Sequence, residues 1–284
     1  MSYKTVCVIV SDPASDGAAL AAAAAFALRY DAHLDVKCIS IEPIQFEAMT
    51  MGAAMPMLEY DLTEARRRAQ LLMTWSQGRL PIGMGKVAMQ AVVVPQIGLD
   101  RMIARLTSYA DLVIASKPYG AGHTPLQGAT LEAVLFGTGA PVVVVPDSGA
   151  KTDVEFNLPF GRIVVAWNET EAALAAIRGA LPMLKAAAHV DIVMVDPPSH
   201  SPERSDPGGA ITLMLSRHGV KAEVAILSRS LPRVSDVLAR FALEHAADAI
   251  VMGAYSHSRL REAIFGGATR DMLEAAHLPL VMAH

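Results

Sequence analysis

Cysteine is scarce in this chain of 284 residues: there are two, Cys7 and Cys38, each inside an apolar, strand-like run. Buried thiols suit that setting better than a disulfide framework or a metal pair. Basic charge is not in excess either. With 24 Lys and Arg against 28 Asp and Glu, the formal charge is -4, which argues against a nucleic-acid binder. Uninterrupted apolar runs of about 18 residues are missing, so no membrane span is expected. The alanine-rich run Ala18–Leu28 follows acidic Asp12 and Asp16 and a strand-like segment, not a basic leader, so it reads as a helix and not as a signal core. The expected setting is cytoplasmic. The 9 histidines form no HxxxH or Cys/His cluster, and no metal site is expected. No loop ends in Gly-Lys-Ser/Thr and no GxGxxG follows a first strand, which disfavours a Walker-type NTPase and a dinucleotide site.

What the chain does contain, it contains twice. "DLVIASKPYG" at Asp111 and "DAIVMGAYSH" at Asp248 both run from an acid through a short apolar strand into a loop of small and polar residues. "GATLEAVLFGTGAPVVVVP" (Gly128–Pro146) parallels "GATRDMLEAAHLPLVMAH" (Gly267–His284), with Gly128 placed against Gly266 and Pro141 against Pro279. "KTVCVIVSDPASDGAALAAAAAFALRY" parallels "GRIVVAWNETEAALAAIRGALPML" as strand, polar turn and alanine-rich helix. Two tandem copies are the simplest account.

Each copy alternates strands with helices, the pattern of a parallel sheet with helical crossovers. In the second copy the expected strands are Arg162–Trp167, Asp191–Val195, Ala222–Leu227, Ala249–Met252 and Leu280–Ala283. The expected helices are Glu169–Ala187, Gly209–His218, Val234–His245 and Ala268–Ala276. Near-continuous Val, Ile, Leu and Met in the strands fits a sheet covered on both faces. The reading is an α/β fold of two open five-stranded, Rossmann-like domains, 1–147 and 160–284, joined by a polar linker, Asp147–Gly161.

In such folds ligands sit beyond the carboxyl ends of the strands, where crossovers leave in opposite directions. That singles out the stretch "GAYSHSRLREAIFGGATRDML", Gly253–Leu273. Gly253 ends a strand, where a side chain would block a ligand. Gly266 and Gly267 precede a helix start, whose free N–H groups and positive dipole end suit phosphate oxygens. Thr269 adds a hydroxyl, and Arg259, Arg261 and Arg270 add positive charge. A glycine pair before a helix is also a common plain turn, and Asn168 reads equally well as a helix cap before Glu169.

The pattern resembles the universal stress proteins, whose ATP-binding members carry Gly, two residues, Gly, nine residues, Gly, then Ser or Thr. Gly253 fills the first place and Gly266 the third; Ser256 replaces the second glycine, and Gly267 stands where Ser or Thr is usual, with Thr269 two residues later. "HSRLREAIFGGATRDML" and "HLPLVMAH" look particularly like the family's tandem bacterial members. The resemblance implies an adenine nucleotide (ATP, ADP or AMP), with or without Mg²⁺, across the strand ends of the C-terminal copy. Adenine would lie near Ala166, Asn168 and Val195, and ribose and phosphates near Met252, Gly253, Ser256, Arg259, Gly266, Gly267, Ala268 and Thr269. Where the family commonly has Asp, Asn168 both donates and accepts. The resemblance further implies that "PVVVVP" and "PLVMAH" pair inside one chain as a pseudo-dimer.

The first copy departs further: Ser116 stands in the place of Gly253, Pro118 and Pro125 stiffen the loop, Gly120 and Gly122 substitute for the second glycine, and Asp12 keeps an acid after the first strand. This half is expected to pack and not to bind nucleotide. No general base or carboxylate pair marks the loop, and His257 and Ser258 lack an acid partner for a triad. The expected role is regulatory nucleotide binding with protein partners or a homo-oligomer, not catalysis. The rivals are a nucleotide-free scaffold with both sites decayed, a slow ATPase, and a related α/β nucleotide hydrolase, which neither "SDPASDG" nor "AWNETEA" equips with a phosphate loop. The Met-rich stretch Phe46–Tyr60 reads as a loop tucked against the neighbouring copy or as an adaptable lid, and Glu64–Arg68 as a solvated helix face.

Overall fold

The computed structural model describes residues 2–42, 54–120, 124–146, 158–197, 206–254, 267–275 and 277–284, with side chains from 61 onward in the second helix. The first half runs β1 (Thr5–Val10), α1 (Gly17–Tyr30), β2 (His33–Glu42), α2 (Ala54–Gln77), β3 (Val87–Pro95), α3 (Leu99–Thr107), β4 (Leu112–Ser116), α4 (Pro125–Gly137) and β5 (Val142–Val145). The second repeats the order with β6 (Arg162–Ala166), α5 (Glu171–Ala186), β7 (His189–Val195), α6 (Gly209–Arg217), β8 (Ala222–Leu227), α7 (Val234–Glu244), β9 (Ala249–Gly253), α8 (Gly267–Ala275) and β10 (Leu280–Ala283). The strands and helices expected in the second copy appear within two residues at each described boundary. The expected linker falls largely on residues 147–157, outside the described residues.

The ten strands among the described residues form one sheet, in the order β3-β2-β1-β4-β5-β10-β9-β6-β7-β8. Pairing is parallel within each half. At the centre β5 and β10 pair antiparallel, with Leu280 opposite Val144, Val281 opposite Val143 and Met282 opposite Val142. The two final strands therefore pair inside one chain, as the family resemblance implied. Because the seam is antiparallel, the carboxyl ends of the two sets of strands lie on opposite rims of the sheet.

The sheet separates two apolar layers. One contains α1, α2, α5 and α6, with Phe26, Leu20, Ile177 and Leu215 against Val8, Val143, Val165 and Val281. The other contains α3, α4, α7 and α8, with Ile103, Leu131, Leu238 and Met272 against Cys7, Val144, Val164 and Met282. Strands with alternate residues in both layers bury nearly every side chain, which explains their unbroken Val and Ile runs. Cys7 and Cys38 are buried free thiols, and burial pushes the Cys7 thiol up to about 12. The alanine run of α1 gives a helix slim enough to pack closely on the sheet: Ala19, Ala22, Ala23 and Ala27 are all buried.

The duplication reaches into single hydrogen bonds. Asp111 accepts from the backbone N–H of Lys4 at 2.7 Å and Thr5 at 3.0 Å. Asp248 does the same for Gly161 at 2.6 Å and Arg162 at 2.9 Å. Each acid thus anchors the start of its half's first strand. A His-x-Asp pair also recurs at the start of the second strand in each half. His33 lies 3.7 Å from Asp35, and His189 lies 3.1 Å from Asp191. Asp191 additionally receives two hydrogen bonds from Arg162, at 2.6 and 2.8 Å. Burial pushes the Asp191 carboxyl up, but the Arg162 and His189 contacts more than offset this and leave it below the ordinary carboxylate value.

The halves also clasp away from the seam. The Tyr3 hydroxyl donates to the Gly179 carbonyl of α5 at 2.7 Å. A Cβ on Gly179 would stand 2.7 Å from the Pro141 side chain, so this glycine lets α5 ride over the start of β5.

Candidate functional site

In the second half, β6 pairs with β9 on one side and with β7 on the other. The crossover through α5 leaves β6 towards β7, whereas the crossover through α8 leaves β9 towards β10. The switch point therefore lies between β6 and β9, where an open α/β sheet parts its crossovers and accepts ligands. Ala166 is opposite Met252 across that boundary and opposite Val193 on the other side. Gly253 follows Met252 and pairs with Ala283. The structure thus gathers Ala166, Val195, Met252 and Gly253 at one rim.

The start of α8 belongs to the same side of the sheet: Met272 and Leu273 pack in the layer that holds Met252 and Ala254. Within α8, Gly267 and Ala268 are exposed and Thr269 is buried. A Cβ on Gly267 would meet nothing within 4 Å, so close packing does not demand that glycine. Arg270, expected to add charge near the loop, instead pairs with Glu274 at 2.7 Å and stands over the Tyr119 ring at 5.6 Å. Ser256, Arg259 and Gly266, with Arg261, His257 and Ser258, lie outside the described residues.

At this rim the structure gives Gly253 a second reason and corrects the cap expected at Asn168. A Cβ on Gly253 would sit 2.5 Å from the Ala173 nitrogen and 2.8 Å from the Ala172 carbonyl carbon. The glycine is required by the backbone of α5, which crosses the strand end, and a ligand is not needed to explain it. Nor is Asn168 the cap of α5. Thr170 caps it, accepting from the Ala173 N–H at 3.2 Å, while exposed Asn168 accepts from the Thr170 hydroxyl at 2.7 Å. Glu169 between them has φ +59°, a turn that bends the chain away before the helix begins. Trp167, next to Ala166, carries a buried indole N–H with no hydrogen-bond partner among the described residues.

The equivalent rim of the first half is built differently. Asp16 ends the loop before α1, and its buried carboxylate accepts from the Ser11 N–H at 2.7 Å, the Ser11 hydroxyl at 3.0 Å and the Asp12 N–H at 2.9 Å. Its other oxygen accepts from Ser15 at 3.1 Å and from Ser116, across the sheet at the end of β4, at 2.7 Å. Five donors converge on one side chain. The space left between β1, β4 and α4 is about 20 Å³, room for about one water.

The start of α4 is also spoken for. Thr124 and Gln127 form a capping box with Pro125 at the first helical position. The Leu126 N–H is bound to the Thr124 hydroxyl at 3.3 Å, and the Gln127 side chain reaches Ser15 at 2.9 Å. Gly128 consequently lies one turn inside the helix, not at a turn before it, because the capping box starts α4 upstream of the glycine. Asp12 is displaced as well. Counted from the matching anchors at Lys4 and Gly161, Ser11 and not Asp12 is the counterpart of Asn168. The Asp16 network went unseen in the sequence because Ser116 and Asp16 are 100 residues apart.

A cleft of about 880 Å³ opens over the ends of β1, β2 and β3, between α2 on one side and α3 and α4 on the other. Among the described residues no His, Cys, Asp or Glu group is arranged to hold a metal ion, and no helix is long and apolar enough to cross a membrane.

Residues 159–284 match the model of the universal stress protein family. The universal stress protein Slr1230 of Synechocystis sp. is 28% identical over 90 residues, covering 32% of this chain and 30% of its own length. The matched part thus spans under a third of that relative. Among solved structures, a universal stress protein from Archaeoglobus fulgidus aligns over 98% of this chain and 95% of its own, with a TM-score of 0.66 at 13% identity. A putative universal stress protein from Pseudomonas aeruginosa aligns over 98% and 92%, with a TM-score of 0.56 at 17% identity. At those identities the structures share the fold over both halves.

Proposed function

We propose that the chain is a universal stress protein, a family whose model matches its residues 159–284, that its C-terminal half binds an adenine nucleotide, and that binding regulates, without rapid turnover. The observation that carries the reading is the switch point itself: Ala166 and Met252 face each other across the β6–β9 boundary, with Gly253 one residue on. Adenine would lie beside Ala166, Asn168 and Val195, and its sugar and phosphates beside Met252, Gly253 and Ser256. Gly266, Gly267, Ala268 and Thr269 would meet the phosphates, with Arg259 as countercharge and Mg²⁺ as an optional companion. The residues present suit such a ligand in one respect: the α8 backbone at Gly267 is exposed, with no described atom within 4 Å of the place a side chain would take. The protein's own groups bind and orient; no general base is assigned, so any ATP hydrolysis would be slow.

The competing reading is a nucleotide-free scaffold for protein partners or a homo-oligomer. It is favoured by Gly253, whose lack of a side chain the α5 backbone already explains. The two readings separate by mass spectrometry of small molecules released from the purified protein, together with thermal shift in millimolar ATP and Mg²⁺. A recovered adenine nucleotide and a shift support binding. Neither would favour the scaffold. Gly267→Val places its side chain in open space and costs the fold less than about 1 kcal/mol. It should abolish the ATP shift, and an undiminished shift would refute the phosphate assignment.

A further inference from the structure

The first half has kept a strand-end opening while closing the part that a phosphate chain would need. At the fork between β1 and β4, the acidic side chain of Asp16 fills the space with its own hydrogen bonds. At the start of α4, the Thr124–Gln127 capping box takes up donors that an anion would use. A polyphosphate would find an acid and a capped helix there. What stays open is the cleft of about 880 Å³, a volume within the range of small-molecule sites.

Its lining is mainly apolar. Ile39 and Ile41 are at the end of β2, Leu72 and Trp75 contribute from α2, and Leu99 and Leu126 from α3 and α4. Ser40 and Gln96 add polar groups, and Arg68 of α2 is the cation among the described lining residues. Glu64 is shared by two guanidinium groups, accepting from Arg67 at 2.7 and 2.8 Å and from Arg68 at 3.2 Å. Arg68 therefore holds the weaker part of a divided partner. Arg79, which is not a lining residue, stands over the Trp75 ring at 4.1 Å. An apolar slot whose described lining carries a single guanidinium fits a ligand with an apolar body and one negative charge.

We infer that the first half binds a hydrophobic carboxylate, a fatty or aryl acid, whose apolar body lies between Trp75 and Leu126 and whose carboxylate meets Arg68. This site takes no nucleotide. It is independent of the nucleotide reading of the second half, and either can fail without the other.

The test uses the full chain and decanoate as the probe. The sequence has two tryptophans, Trp75 and Trp167, so Trp167→Phe leaves the cleft's own ring as the sole indole reporter. Decanoate should change Trp75 fluorescence saturably with one site per chain by calorimetry. Decanol should bind at least tenfold more weakly. Arg68→Ala should weaken decanoate about tenfold while leaving decanol unchanged. Leu71→Asp, at a cleft position whose side chain is already half exposed, should abolish binding of both without unfolding the chain, checked by circular dichroism. ATP should not displace decanoate. The inference is overturned by an absence of saturable binding, by decanol binding as tightly as decanoate, by indifference to Arg68→Ala, or by stoichiometric displacement with ATP. Leu71→Asp binding decanoate normally would equally remove the cleft as its location.

Discussion

The two rims of the sheet occupy the same place in a repeated fold and solve the same local problem in opposite ways. Where the fourth strand ends, the first half has Ser116 and the second has Gly253. Ser116 uses its hydroxyl to tie β4 to Asp16; Gly253 has no side chain because the α5 backbone passes where one would be. Before the first helix the roles differ correspondingly, with Asp16 acting as a hub for five donors and Thr170 as an ordinary cap. One half joins its loop and strand by a polar network, the other by close packing. The lesson is that a duplicated fold preserves the position of a site more readily than its chemistry.

The largest expected effects come from breaking each half's own device. Asp16→Ala strands several buried donors at once and should cost about 3 kcal/mol or more, read as a lowered urea midpoint. Asp191→Asn removes the charge that Arg162 and His189 share, at a carboxylate whose side chain is 6% exposed. About 3 kcal/mol is expected. Because the folded-state value of Asp191 is depressed, its contribution is present above the unfolded carboxylate value. It should be lost as pH falls through the lowered folded value, so the midpoint gap between wild type and Asp191→Asn should narrow below about pH 4. A gap that widens in acid would contradict the sign.

Gly253→Ala should cost about 2 kcal/mol, since the α5 backbone must move to admit the methyl group. A neutral substitution would mean that α5 yields easily and that the glycine answers to something else. Ser116→Ala is the smallest change, about 1 kcal/mol, because Asp16 keeps its other donors. Combining it with Asp16→Ala should add little further loss. Full additivity would show that the two residues act separately, against the network drawn here.

The fold was legible because its signals are local and doubled. Val and Ile runs marked the strands, and the paired acids Asp111 and Asp248 marked matching places in the two copies. Thr124 and Gln127 show how a nearby signal can still mislead: the "GAT" likeness drew attention to Gly128, although the capping box that begins four residues upstream, at Thr124, decides where α4 starts. At the site, Ala166, Met252 and Gly253 fell at one rim because the strand order follows from the crossover rule. The reason for Gly253 was not legible, since Ala172 and Ala173 reach it only once α5 is folded over the sheet. The Asp16–Ser116 bond was hidden for the same reason, being a contact between strand ends with no local pattern. The cleft over β2 and β3 needs the spacing of two helical layers, which no periodicity encodes.

The antiparallel pairing of β5 with β10 has a consequence for heredity. When two copies of a subunit meet through such a seam as separate chains, every substitution appears at both sites, and neither can change alone. Written into one polypeptide, the seam keeps its near-twofold geometry while each rim is spelled by its own codons. A serine can arise at one strand end and a glycine persist at the other without any penalty of mismatch at the Val143–Val281 centre. One chain can thus be nearly symmetric in shape and asymmetric in the chemistry of its two rims.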